Sequence, residues 1–281
     1  SYIWVKLPTL SGTNTSFKMY LGLAFPIELP ENDPTDVWSA YAAVFHGGEK
    51  IFDSTGNSPT VVTNSVNGFN TGDNVVAGAM YKPKNSKGVQ FLNPVTTGAM
   101  STNNVVSFSG WFKRSSSGTV IVAANKSTWA ASGFLAIVEA GTYFSLAVSS
   151  TKKKKKNAGA LQNGVWGHLA FSYDDTKINS YFNGENIYSN ENGLSQIDPG
   201  ETYWAIGNYA DSAKDGYVGD MDEIRFYNGV ASADWIKAEY DSAISVDTFV
   251  SYGKVENLFD YKVSSMSYSF VNDNTVSISY E

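Results

Sequence analysis

The 281-residue chain contains no cysteine. Disulfides, thiolate metal sites and the nucleophilic chemistry of a Cys–His pair are therefore excluded. Histidine is nearly as scarce, with only His46 and His168. That scarcity weighs against histidine-based catalysis and His-rich metal sites. Charged residues make up 17% of the chain. No apolar run reaches the length of about 18 residues that a membrane-spanning helix needs. Neither a Gly-rich phosphate loop nor a Gly-x-Ser-x-Gly nucleophile motif occurs. No signal peptide is read, and the opening Ser-Tyr-Ile-Trp-Val-Lys-Leu already alternates as a strand. A processed or trimmed chain is the expectation.

What is present points to many short strands. The hydrophobic fraction is 42% and the aromatic fraction 14%, with 17 Tyr and 16 Phe. Aromatic and β-branched residues suit a pleated, half-buried surface, and Gly, Asn and Ser supply the turns between. The net charge of −7 repels nucleic acid and anionic membranes, so both rank low as partners. The length is sufficient for a sizeable core in one sandwich.

The most informative stretch is Gly-Asp-Met-Asp-Glu-Ile-Arg-Phe-Tyr-Asn, residues 219–228. Period-2 alternation predicts a strand with Asp222, Ile224 and Phe226 on one face. Met221, Glu223, Arg225 and Tyr227 fall on the other. Asn228-Gly229 ends it. Ser232 is the expected N-cap of a short helix, with Asp234 in its first turn. Acids inside so apolar a run must be paired, hydrogen-bonded or bound to a metal.

This stretch resembles the last core strand of the laminin-G-like, concanavalin A-like jelly rolls of microbial surface proteins, which reads Gly-x-Ile-Asp-Glu-Val-Arg-Ile-Tyr-Asn. Further stretches match the same family. Asp53-Ser54-Thr55-Gly56-Asn57 is similar to its opening turn. Val105–Lys113 resembles its Phe-Thr-Ile-Ser-Ala-Trp-Val-Lys strand, and Trp166-Gly167-His168-Leu169-Ala170 its Trp-x-His-Leu-Ala. Asn183-Gly184, between two alternating runs, signals a two-residue hairpin. The resemblance implies an all-β fold: an antiparallel jelly-roll sandwich with one short C-terminal helix. The expected limits are 46–256 for the jelly roll and 257–281 for a C-terminal β-hairpin. Residues 1–45 resemble the second half of a small β-domain of unknown function that often precedes such jelly rolls.

Candidate sites follow. The resemblance implies a structural calcium ion held by Asp53, Asn57 and Asp222. Calcium takes six to eight oxygens, so a few side chains with carbonyls and water suffice. The other reading leaves Asp53 as a turn residue and pairs Asp222 with Arg225 or backbone. Asp222 and Glu223 are adjacent and point to opposite faces, which argues against a glycosidase pair. His168 and His46 read as strand residues. Trp129, Tyr203, Trp204 and Tyr209 lie in or beside loops, where aromatic faces can stack on sugars; Trp204 alternating with Ile206 also suits a core. Lys152–Lys156 is a run of five lysines. It either contacts an anionic glycan or a neighbouring subunit, or it is a solvated hairpin guarding an edge; the latter is the expectation.

The family resemblance implies a secreted, non-catalytic module at the cell surface that binds polysaccharide or a surface glycan. The alternative is a structural subunit of an extracellular assembly, joined through open strand edges. A glycoside hydrolase ranks third.

Overall fold

The computed structural model describes residues 4–6, 16, 34–47, 53–57, 61–64, 67–70, 74–76, 78–82, 88–92, 105–116, 120–124, 135–139, 143–147, 153–157, 161–174, 177–190, 203–210, 216–251, 253, 266–272 and 275–280. They fall into two units, Ser1–Val246 and Asp247–Glu281, each described by itself.

The first unit begins with α1 (Pro34–Val37) and β1 (Tyr41–Phe45). Short strands follow: β2 (Val61–Asn64), β3 (Asn67–Asn70), β4 (Ala79–Lys82) and β5 (Val89–Leu92). Then come β6 (Val105–Arg114), β7 (Val120–Ala124), β8 (Leu135–Glu139), β9 (Tyr143–Ala147) and β10 (Lys153–Asn157). The series closes with β11 (Gly167–Asp174), β12 (Ile178–Phe182), β13 (Glu185–Asn190), β14 (Tyr203–Ile206), β15 (Gly219–Tyr227) and the helix α2 (Ala233–Ile244).

These strands make two antiparallel sheets. One has eight strands, in the order β13-β12-β11-β6-β15-β4-β3, with β1 also on β15. The other has seven, in the order β10-β9-β8-β7-β14-β5-β2. Strands far apart in sequence are neighbours, which is the arrangement of a jelly-roll sandwich. The expected fold is the observed one. The second unit holds a hairpin of β16 (Met266–Asn272) and β17 (Thr275–Tyr280), after a helical turn, α3, over Val246–Phe249 at the boundary.

The core lies between the two sheets. Phe108 stacks on Phe171 at 5.5 Å and leans on Phe226 at 5.1 Å. Trp204 of β14 meets Phe226 of β15 edge to face at 4.9 Å, joining the sheets. Asn183-Gly184 forms the expected tight turn: φ is +50° and +79° at the two residues, and Phe182 pairs with Glu185. The turn is pinned to β11, because Asn183 Oδ1 accepts from the His168 amide at 2.9 Å.

Two expectations are corrected. The alternation in β15 is not continuous. Its register against β6 shifts between Asp222 and Arg225, and Glu223 adopts φ +49°. This is a β-bulge, in which two residues oppose one. Met221, Ile224 and Phe226 therefore share the core, while Asp222 leaves it. The bulge is accommodated opposite Gly110, where a Cβ would sit 2.4 Å from Ile224 Cδ1. Second, the sandwich sheet begins before residue 46, because β1 pairs with β15: all five of its residues are buried, and Val44 pairs with Arg225. The strand expected at 2–7 is described only over 4–6, which carry no regular structure. The sequence also reads as a second strand over 16–23, after the polar Gly-containing turn at 11–15; this stretch lies outside the described residues apart from residue 16.

Ser232 caps α2 as expected, its Oγ accepting from the Trp235 amide at 3.1 Å. Ser232→Ala is expected to cost about 1 kcal/mol, seen as a fall of about 2–4 °C in Tm by circular dichroism. An unchanged Tm would mean the cap is replaced by water.

Candidate functional site

The bulge and the capped helix converge on one side of the eight-stranded sheet. There Glu223 and Arg225 of β15, Glu239 of α2, and Tyr41 and His46 at the two ends of β1 form a buried polar network. Arg225 bridges two carboxylates, with Nη2 2.8 Å from Glu223 Oε2 and Nη1 3.2 Å from Glu239 Oε1. His46 Nδ1 lies 2.8 Å from Glu223 Oε1. The Tyr41 hydroxyl donates to Glu239 Oε1 at 3.1 Å. Aromatic rings cover this network: His46 stacks on Trp4 at 4.8 Å, and the Arg225 guanidinium lies 5.3 Å from the Trp4 ring centre and 5.4 Å from that of Trp38.

Burial works to lower the Arg225 pKa, but Glu239 and Glu223 outweigh it and hold the guanidinium above its ordinary value. Burial likewise raises Glu239, while Arg225 more than compensates and keeps it ionised below the usual range. Burial first, and the Glu239 charge second, push the Tyr41 phenol well up. The network is thus a fixed ion set, with Tyr41 acting as a hydrogen-bond donor.

Glu239 links this network to the surface. Its Oε1 also accepts from the Trp235 indole Nε1 at 3.2 Å. The indole stacks on Tyr227 at 5.8 Å with 29° between the planes. Trp235 is nonetheless 41% exposed, and Val230 on the preceding turn is equally so. Beside the ring lies a half-open depression of about 10 Å³, with Ser107, Ser109, Arg225 and Glu239 in its lining. That is room for one water or one hydroxyl group. A rigid aromatic plate beside polar groups is a suitable surface for the C–H face of a sugar ring.

The sequence pointed elsewhere for aromatic contacts. Trp129 lies outside the described residues. Trp204 is 1% exposed and packs between the sheets, so its assignment as a ligand contact is corrected. The inward position that alternates with Ile206 decided its place. Tyr203 and Tyr209 are half-buried; Tyr203 opens β14, and Tyr209 lies three residues beyond its end. Trp235 was read only as part of a helix. Its signal in the sequence was weak: an aromatic in a first helical turn, following an exposed Asn-Gly turn.

The three residues expected to hold calcium are each engaged by the protein. Asp53 Oδ1 accepts from the amides of Val44 at 2.8 Å and Thr55 at 3.2 Å, and Oδ2 accepts from Thr55 Oγ1. Asn57 Nδ2 donates to the Tyr41 carbonyl at 2.9 Å. Asp222 is fully buried, and its Oδ2 accepts from the amides of Val75 and Val76 at 2.9 and 2.8 Å. No group of three or more His, Cys, Asp or Glu placed to hold a metal ion occurs among the described residues. The other Asp222 carboxylate oxygen, Oδ1, is buried without a hydrogen-bond partner. Burial, and then the Glu223 charge, push Asp222 up to about 7. His168 is buried against Trp111, and burial lowers it to about 4, so it stays neutral in the strand position expected for it.

Residues 83–237, more than half of the chain, match the family described as the concanavalin A-like lectin/glucanases superfamily. The chain belongs to this superfamily. No curated protein matches it. Among solved structures, the binding domain of Paraclostridial Mosquitocidal Protein 1 is similar, with a TM-score of 0.56 and 14% identity over 74% of this chain and 53% of that one. The receptor binding domain of botulinum neurotoxin C/D mosaic serotype has a TM-score of 0.54 and 10% identity, covering 73% of this chain and 51% of that one. The chain thus spans about half the length of these two binding domains. Domain 4 of AbnA, an extracellular arabinanase from Geobacillus stearothermophilus solved with arabinotriose, is covered over 96% of its length, with 70% of this chain, a TM-score of 0.53 and 20% identity. At these identities the likeness establishes the superfamily fold. No helix among the described residues is long and apolar enough to cross a membrane.

Proposed function

We propose that the chain is a secreted, non-catalytic glycan-binding module whose contact surface is the Trp235–Tyr227 plate on the β15–α2 turn. The observation that carries this reading is the state of Trp235. A large aromatic ring is held by a stacking partner and a hydrogen bond, yet stays substantially exposed. Holding a ring in place and leaving it uncovered lowers the ordering cost of binding, which favours a ligand. The relatives of the same fold include a domain solved with arabinotriose, so neutral plant polysaccharides are the first probes to use.

The test is isothermal titration of arabinan, arabinotriose and dextran into the wild type and Trp235→Ala. Saturable binding of at least one probe is expected, weakened roughly tenfold or more in Trp235→Ala, since stacking aromatics at a binding surface contribute above 1 kcal/mol each. An unchanged thermal melt must accompany that loss. Equal binding by the variant, or no binding of any neutral glycan by the wild type, overturns the reading. Light scattering on the same samples addresses the structural-subunit alternative: large oligomers would move the functional surface from the plate to the strand edges.

A further inference from the structure

The lysine run has a definite place in the fold. Lys153–Asn157 is β10, the outermost strand of the seven-stranded sheet, and among the described residues it pairs through the backbone with β9 alone. Five of the chain's 20 basic residues are concentrated in Lys152–Lys156, while the whole chain carries −7. We propose that this edge is a binding site for a linear, negatively charged polysaccharide, such as a uronate polymer.

The charge pattern supports the assignment. Same-face residues of a strand are about 6.8 Å apart, and two unit charges at that distance repel by roughly 0.6 kcal/mol even in water. A single charge is enough to keep a strand edge from pairing with another sheet. Five successive lysines raise the repulsion without improving that protection, and a polyanion along the strand would turn repulsion into attraction. The dimensions select the ligand. A five-residue strand is about 17 Å long and one chain wide. A thin single chain can lie along it, whereas a duplex or a membrane would extend beyond it over a chain whose net charge is −7. The neighbouring strand suits a saccharide as well. β13, the edge of the other sheet, lies beside β10. It exposes Asn186 and Ser189, amide and hydroxyl groups able to bond sugar hydroxyls, together with one acid, Glu185.

This inference rests on the glycan-binding reading for the class of ligand, but it uses different residues. The test is titration of polygalacturonate into the wild type, into a variant with Lys153, Lys154, Lys155 and Lys156 all changed to Gln, and into one with the same four changed to Arg. The wild type is expected to bind at 50 mM salt, with affinity falling steeply as salt rises, because bound cations are released from the polymer. The Gln variant is expected to lose roughly tenfold or more, the Arg variant to bind as the wild type does, and dextran or arabinan binding to be the same in all three. A Trp235→Ala protein that still binds polygalacturonate separates this site from the plate, so failure of one reading leaves the other standing. No binding by the wild type, or equal binding by the Gln variant, overturns the inference. So does binding of duplex DNA, or of vesicles containing 30% phosphatidylserine, as tightly as polygalacturonate. Light scattering shows whether the Gln variant stays monodisperse; if it aggregates, the Arg variant and a Lys154→Gln, Lys156→Gln double variant carry the comparison.

Discussion

Arg225→Leu is expected to destabilise the protein by about 3–5 kcal/mol, the cost of leaving buried charges uncompensated. Arg225 is 12% exposed and its partners Glu223 and Glu239 are 3% and 9% exposed. Removing the guanidinium leaves two carboxylates facing each other in an apolar setting under Trp4 and Trp38. Arg225→Lys is not a rescue, because one ammonium cannot reproduce the fork that reaches a carboxylate on β15 and another on α2. Urea unfolding at pH 7 measures both variants. Changing Glu223 and Glu239 to Gln together with Arg225→Met should cost much less than Arg225→Leu, since no charge is then stranded. A loss below about 1 kcal/mol for Arg225→Leu would mean that water reaches the network. Glu239 also holds the Trp235 indole, so glycan binding should weaken in Arg225→Leu even where the fold survives. This links stability of the buried network to the proposed contact surface.

Asp222 sets the second expectation. Its native pKa is about 7, raised by burial first and by Glu223 second, against about 3.9 for an unfolded aspartate. Between those values the native state holds a proton that the unfolded chain has released. Stability from this group is therefore greatest below about pH 4 and falls as pH rises, by about 1.4 kcal/mol per pH unit up to pH 7. The total is on the order of 4 kcal/mol. His168 acts in the opposite sense. Its native pKa of about 4 lies below the unfolded value of about 6.5, so its contribution is lost as pH falls through that window. The useful quantity is consequently the difference between wild type and Asp222→Asn across pH 4.5–8. Asn keeps an oxygen for the Val75 and Val76 amides and cannot ionise. The variant should become progressively more stable relative to wild type as pH rises, and a flat difference would refute the buried-acid reading. The same titration examines calcium. An ion on Asp222 would hold it ionised and abolish the slope, so a slope unaffected by calcium or chelator is the expected outcome.

The turn chemistry and alternation in the chain were enough to specify local elements. Asn183-Gly184 required a two-residue hairpin because only such residues accept positive φ at both centres. Ser232 and Asp234 marked the start of a helix. Gly-Asp-Met-Asp-Glu-Ile-Arg-Phe-Tyr, the strand that pairs with β1, β4 and β6, carried the family pattern and with it the sandwich. These features depend on a few adjacent residues, so they can be read in one dimension.

The site could not be read that way. The bulge at Glu223 shifts every later side chain of β15 to the opposite face, and it exists because Gly110, more than 100 positions away in sequence, leaves room for Ile224. That shift aims Glu223 and Arg225 at His46 and Glu239. Asp222 lies under the Val75 and Val76 amides, the backbone pairing that the sequence offered beside Arg225 and an ion, and only the fold says which amides these are. Trp204 and Trp235 are both tryptophans beside turns, and only packing separates them: one meets Phe226 across the sheets, the other is held at the surface by Tyr227 and Glu239. The sequence by itself determined the position of the long strands, the Asn183-Gly184 turn, the helix cap and the superfamily. The tertiary structure alone decided which charges are buried together and which aromatic ring remains uncovered, because those properties belong to contacts between residues far apart in the chain.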